Sequence, residues 1–131
     1  MDTRKQKFHT DINTSFLRWI ANEIRKYDTN HDIHVNNHAI FQNYGQYDFP
    51  AWRTFLTSLG SSAHASWHFG YFNRQQYALA MLANAEIIRS GAGNLPWFMT
   101  ELQGGNNTYS GLNAMCPTPE EIVQWLWIAL G

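Results

Sequence analysis

One cysteine in 131 residues excludes a disulfide within the chain and any metal site built on cysteine pairs. That residue, Cys116, precedes Pro117 with no histidine close in sequence, which argues against a reactive thiol. A charge excess is missing too. Nine basic and ten acidic side chains leave a net charge of −1, so nothing recommends nucleic acid or a membrane surface as partner. No apolar stretch reaches the roughly 20 residues of a membrane span. The basic start, Arg4-Lys5-Gln6-Lys7, has no apolar segment behind it, so no signal peptide is expected, and the compartment stays open. Neither GxGxxG nor a phosphate-loop pattern follows a strand-like run, which leaves nucleotide binding unsupported, and HExxH is absent.

Apolar mass is what the chain does have. Hydrophobic residues make up 44% and aromatics 15%, with six Trp, enough for one globular domain. Many of these rings fill a core. A surplus suits a site that stacks the flat apolar faces of ligands, sugars included.

The periodicity alternates between helix and strand. Phe16, Leu17, Ile20, Ala21, Ile24 and Tyr27 fall on one helical face. Residues 33–36 read as a strand. A helix is predicted from Asp48 with Pro50 in its first turn, carrying Trp52, Phe55, Leu56 and Leu59 and ending at Gly60. Residues 63–69 read as a second strand. Asn73 and Gln76 form a capping box for a helix over 74–89, closed by Gly91. Pro96 introduces a third strand, 97–101, followed by a Gly/Asn-rich loop. Thr118-Pro119-Glu120-Glu121 starts a last helix to Leu130, apolar nearly all round and expected to be buried.

The three strands recur about every 32 residues, the length of one βαβ unit, and predict a parallel α/β sheet. A doubly wound sheet and a closed barrel both fit. Functional groups in such folds gather at the carboxyl ends of strands. Here those ends hold Asn36-Asn37-His38, His68-Phe69-Gly70-Tyr71 and Thr100-Glu101. Glu101 stands out, because a carboxylate beside the open Gly104-Gly105 turn must be solvated, paired or used. An ion pair across the sheet explains it as well as catalysis does.

Residues 96–107, Pro-Trp-Phe-Met-Thr-Glu-Leu-Gln-Gly-Gly-Asn-Asn, resemble the nucleophile strand of the β-galactosidase-like enzymes of glycoside hydrolase family 42. Asp32-Ile33-His34-Val35-Asn36-Asn37 resembles that family's fifth strand, which ends in an asparagine at the sugar site, and residues 16–27 resemble its fourth helix. The colinear likeness covers 16–131. It implies a partial (β/α)₈ TIM barrel, from about the fourth helix to the seventh, with three strands and four helices. It also implies a retaining glycosidase acting on β-galactoside-like carbohydrates, with Glu101 as nucleophile and Asn37, His68, Gln103, Asn107 and Tyr109 binding sugar hydroxyls. No cofactor is implied. The family's acid/base glutamate, after an asparagine on the fourth strand, has no counterpart here. The sixth strand's usual acidic residue and Tyr-Pro pair are replaced by Trp67-His68-Phe69-Gly70-Tyr71. The expectation is therefore a piece of a barrel, inactive alone, that pairs with its missing part or self-associates. A non-catalytic carbohydrate-binding or assembly module is the alternative. A metal held by His31, His34 and His38, or by His64 and His68, is the weaker reading beside ordinary hydrogen-bonding roles.

Overall fold

The computed structural model describes residues 3–38, 41, 46–69, 72–106 and 115–130, which form a mixed α/β structure on a parallel sheet. In chain order the elements are α1 (Thr3–Arg25), β1 (His34–Asn37), α2 (Phe49–Trp52), β2 (Ser58–Ala63), α3 (Ala65–His68), a 3₁₀ turn (Arg74–Gln76), α4 (Tyr77–Ala92), β3 (Trp97–Leu102) and α5 (Pro119–Leu130). The sheet order is β1-β2-β3, all parallel, with β2 in the centre. Among the described residues no helix is long and apolar enough to cross a membrane.

The central strand corrects the predicted one. Residues 57–62 continue no helix, and the strand expected over 63–69 ends at Ala63 and turns into α3. Only one turn of helix follows Pro50, capped by Asp48 Oδ1, which accepts from the Ala51 amide at 3.0 Å. Leu59 meets the helical spacing because it, too, faces the helix layer. Every residue of β2 is buried, and the strand is made of Ser, Gly and Ala around one Leu. A central strand needs small side chains where those of its neighbours lean over it, as His34 and Thr100 do over Gly60, so a search for apolar runs misses it.

The described helices pack on one face of the sheet. One core joins Leu59, Trp52, Leu56 and Ala92 with Leu17 of α1, Val35 and Trp97. A second joins Ala63, Phe69, Ala80, Met81 and Trp125 with Met99 and Leu102. A polar bridge adds to this packing: Ser61 Oγ donates to Asn84 Oδ1 at 3.0 Å, and Asn84 Nδ2 donates to the Ser62 carbonyl at 3.2 Å. Satisfying a fully buried amide this way fixes α4 against β2, since an unmet buried polar group costs about 1–3 kcal/mol.

The helix ends follow the sequence closely. Gln76 Oε1 accepts from the Asn73 amide, and Thr118 and Glu121 exchange side-chain-to-backbone bonds of 2.8 and 3.3 Å. Glu121 also pairs with Arg74 at 2.7 Å, tying the start of α5 to the turn before α4. Helix α4 runs past Gly91 to Ala92, and Gly93, at φ 62°, supplies the left-handed residue that ends it. The last helix departs from its predicted burial. Trp125 is buried, whereas Trp127 is 70% and Leu130 78% exposed. On α1, Ala21 is buried while Phe16 and Ile24 are exposed.

Candidate functional site

Strand alternation by itself would send Glu101 to the wrong side. Along β3, Trp97 and Met99 face the helix layer, so Phe98 and Thr100 face the other way and Glu101 would return to the helices. A β-bulge prevents this. Ser61 pairs with Met99, but Ser62 pairs with Glu101, so Thr100 is the extra residue of β3. The bulge keeps Thr100 on the open face and shifts Glu101 onto it as well, a re-aiming for which bulges are commonly used.

On that face, at the carboxyl ends of all three strands, Glu101 meets two donors. Ser62 Oγ donates to its Oε2 at 2.7 Å, and Asn36 Nδ2 donates to the same oxygen at 3.3 Å and to Ser62 Oγ at 2.9 Å. His64 Nε2 stands 3.7 Å from Oε2. The Ser62 hydrogen bond is the main reason the Glu101 carboxyl ionises below its ordinary range; His64's charge and the Asn36 bond act the same way, against a smaller effect of burial. The side chain is 50% exposed, and Oε1 accepts no hydrogen bond among the described residues. An anchored, ionised carboxylate whose second oxygen has no partner among the described residues is equipped to act as a nucleophile or a base. Asn36 Oδ1 is buried and accepts no hydrogen bond among the described residues, leaving an unused acceptor beside it.

Histidines border the carboxylate. His68 is fully buried, and its Nδ1 accepts from the His64 amide at 3.3 Å, which puts the proton of the neutral ring on Nε2. That nitrogen lies 3.3 Å from His38 Nε2 and donates to it. Burial, together with the neighbouring His38 and His64, lowers the His68 pKa to about 4. Trp67 is 41% exposed and stands edge-on to His38, with ring centres 4.7 Å apart. No group of three or more metal-ligating side chains forms among the described residues.

The residues singled out in the sequence divide sharply. Glu101 lies where it was expected, on the carboxyl edge. Asn37 is buried and spends its Nδ2 on the Gly60 carbonyl at 2.9 Å, so the sheet brings Asn36, not Asn37, to the carboxylate. Gln103 is a buried clamp: Oε1 accepts from the Ser66 amide and hydroxyl, and Nε2 donates to the carbonyls of Gly105 and Met115. Asn107 and Tyr109 lie outside the described residues. Ser62 and Trp67 were missed as site residues, and His64 was weighed only as a metal ligand, because the second strand was read five residues too late. Period-2 alternation offers no signal for the pairing with Asn36, since without the bulge it would set Glu101 on the face of Asn37. A cavity of about 520 Å³ lined by Phe49, Arg53, Glu86 and Gly91 lies on the helix layer, remote from the strand ends, and contains none of this chemistry.

No protein-family model matches the chain, and no curated protein matches it.

Proposed function

We propose that this chain is part of the catalytic barrel of a retaining glycoside hydrolase that cleaves β-galactoside-like substrates, with Glu101 as the nucleophile. The observation that carries this reading is the state of Glu101. It is ionised, anchored through Oε2 by Ser62 and Asn36, and without a bond to Oε1 among the described residues, on the carboxyl-terminal edge of a parallel sheet. Double displacement asks for such a group, because attack at the anomeric carbon needs an ionised oxygen held still beside a solvent-accessible space. The partner acid/base carboxyl would sit about 5–5.5 Å away across the scissile bond. By the resemblance, that group belongs to a strand outside this sequence. The carboxylates paired here, Asp28 with His31, Glu86 with Arg89 and Glu121 with Arg74, are engaged with their own partners.

The barrel reading rests on the asymmetry of the sheet. The described helices cover one face, and the other is lined by His34, Asn36, Gly60, Ser62, Phe98 and Thr100. Such a lining suits the interior of a closed barrel, where side chains from neighbouring strands interlock in layers. The exposed Trp67 supplies an apolar plate of the kind that holds sugar ring faces.

The test is covalent trapping in the full-length protein. Incubation with a 2-fluoro aryl β-galactoside should leave a stable glycosyl adduct on the peptide carrying Glu101, read by mass spectrometry after proteolysis. An adduct on a different carboxylate would remove Glu101 from the role, and no adduct with no turnover on any activated aryl glycoside would remove the glycosidase reading.

A further inference from the structure

We propose that His34 is a positioning residue that fixes Glu101 by pinning the bulge at Thr100. The imidazole starts on the first residue of β1 and crosses the width of the sheet. Its Nδ1 is 2.9 Å from Ser58 Oγ on β2, and its Nε2 is 2.9 Å from Thr100 Oγ1 on β3. Strands lie about 4.8 Å apart, so a side chain from one edge strand reaches the other only by passing over the middle one. Gly60 makes that passage available: a Cβ there would collide with both Thr100 Oγ1 and the His34 ring. The ring needs no fixed tautomer, since a hydroxyl donates or accepts as its partner requires. Burial favours its neutral form. The Phe98 ring stands edge-on to it at 5.8 Å.

Thr100 is the extra residue that shifts the register, and an extra residue is the one the ladder leaves unpaired. Its hydroxyl bond to His34 supplies the anchor that the ladder does not. Glu101 is the next residue, and its bond to Ser62 depends on the backbone turning at Thr100. His34 makes no contact with the carboxylate, so its role is to hold geometry. The consequence for turnover rests on the reading of Glu101 as nucleophile; the consequence for the carboxylate's hydrogen bonding does not.

Two substitutions in the full-length protein separate the ring's two bonds. In His34→Asn the amide occupies the place of Nδ1, keeping Ser58 and losing Thr100. In His34→Gln it reaches the place of Nε2 and keeps Thr100. The Glu101 carboxyl is followed by ¹³C NMR titration, assigned by its disappearance in Glu101→Gln, alongside kcat and KM on an aryl β-galactoside. His34→Asn should raise the Glu101 midpoint, because the Ser62 bond weakens, and lower kcat by about 10²-fold with KM unchanged, the scale of a roughly 1 Å misplacement. His34→Gln should restore both, and Gly60→Ala should reproduce the His34→Asn shift. An unmoved midpoint in His34→Asn, or equal effects of the Asn and Gln variants, would overturn the clamp. A shifted midpoint in a protein that turns over no glycoside would uphold the clamp and reject the glycosidase reading.

Discussion

The two faces of the sheet solve different problems with alternate residues of the same strands. Val35, Leu59, Ala63, Trp97 and Met99 point to the helices and belong to closed apolar clusters. His34, Asn36, Ser62 and Thr100 point the other way, joined by hydrogen bonds from His34 to Thr100, from Asn36 to Ser62, and from Asn36 and Ser62 to Glu101. The first face gains stability from area, at about 25 cal/mol per Å² of apolar surface removed from water. The second gains little that way. Its hydrogen bonds hold a carboxylate in an ionised, half-exposed state, which is a property of a site and not of a core. If this division is right, substitutions on the open face should change chemistry without stability, and those on the helix face should do the reverse.

The largest expected effect is on the open face. On the proposed reading of the chain as part of a glycosidase with Glu101 as nucleophile, Glu101→Ala in the intact enzyme should lower turnover by at least about 10³-fold while leaving the thermal midpoint nearly unchanged, because a nucleophile's loss removes a whole chemical step. Near-normal kcat, measured on an activated aryl glycoside, would break the comparison at its centre. The counterpart on the helix face is Trp125, fully buried among Ala80, Met81 and Phe69. Trp125→Ala should cost about 3–5 kcal/mol of stability, read by urea unfolding. A cost below about 1 kcal/mol would mean that α5 is not part of the core.

His68 lies where the two regions meet, buried like the core and bonded like the site. Its folded pKa of about 4 lies below the ordinary 6.5, so the unfolded chain binds the extra proton first as pH falls. The sign follows: stability should drop between pH 6.5 and 4 and level off below 4, by about 3 kcal/mol in total. The difference between the wild type and His68→Gln, whose amide cannot titrate, isolates this contribution from the acidic side chains. A pH-independent difference would show that His68 titrates alike in the folded and unfolded chain.

How far each face could be read in the sequence follows from the same physics. The helix face was legible in part: the helical period found α1 but not its buried side, since Phe16 and Ile24 are exposed. The strands at 33–36 and 97–101 were found within a residue, and the capping residues Asn73 and Thr118 marked their helices. The central strand was not legible, since Ser58-Leu59-Gly60-Ser61-Ser62-Ala63 carries one large apolar residue, and that one also fits a helix. The open face was half legible. Glu101 follows from its strand-end position, but the choice between Asn36 and Asn37 depends on which side faces the helices, and a one-residue slip exchanges them. The bulge at Thr100 is a backbone event between β2 and β3 with no local sequence mark.

The smallest expected effect tests whether the open face is open at all. Phe98 lies on β3 between Trp97 and Met99, both packed against helices, yet it is 53% exposed. Its one described ring partner is His34, edge-on at 5.8 Å. A half-exposed ring has little area to lose, and surface substitutions away from special features stay within about 0.5 kcal/mol. Phe98→Ser in this 131-residue chain should therefore leave urea stability within that range. Met99→Ser, one residue on, should cost several times more, because the thioether contacts the cluster around Trp125 and accepts from Asn84 at 3.8 Å. On the proposed reading of the chain as part of a longer barrel, the same pair measured in that protein sharpens the result. Closure of a barrel over this face would bury Phe98 and raise its cost to about 3–5 kcal/mol, that of emptying a core aromatic site. A cost of that size in the isolated chain would mean that something covers the face there too, as self-association would, and a sedimentation measurement on the same sample would identify it.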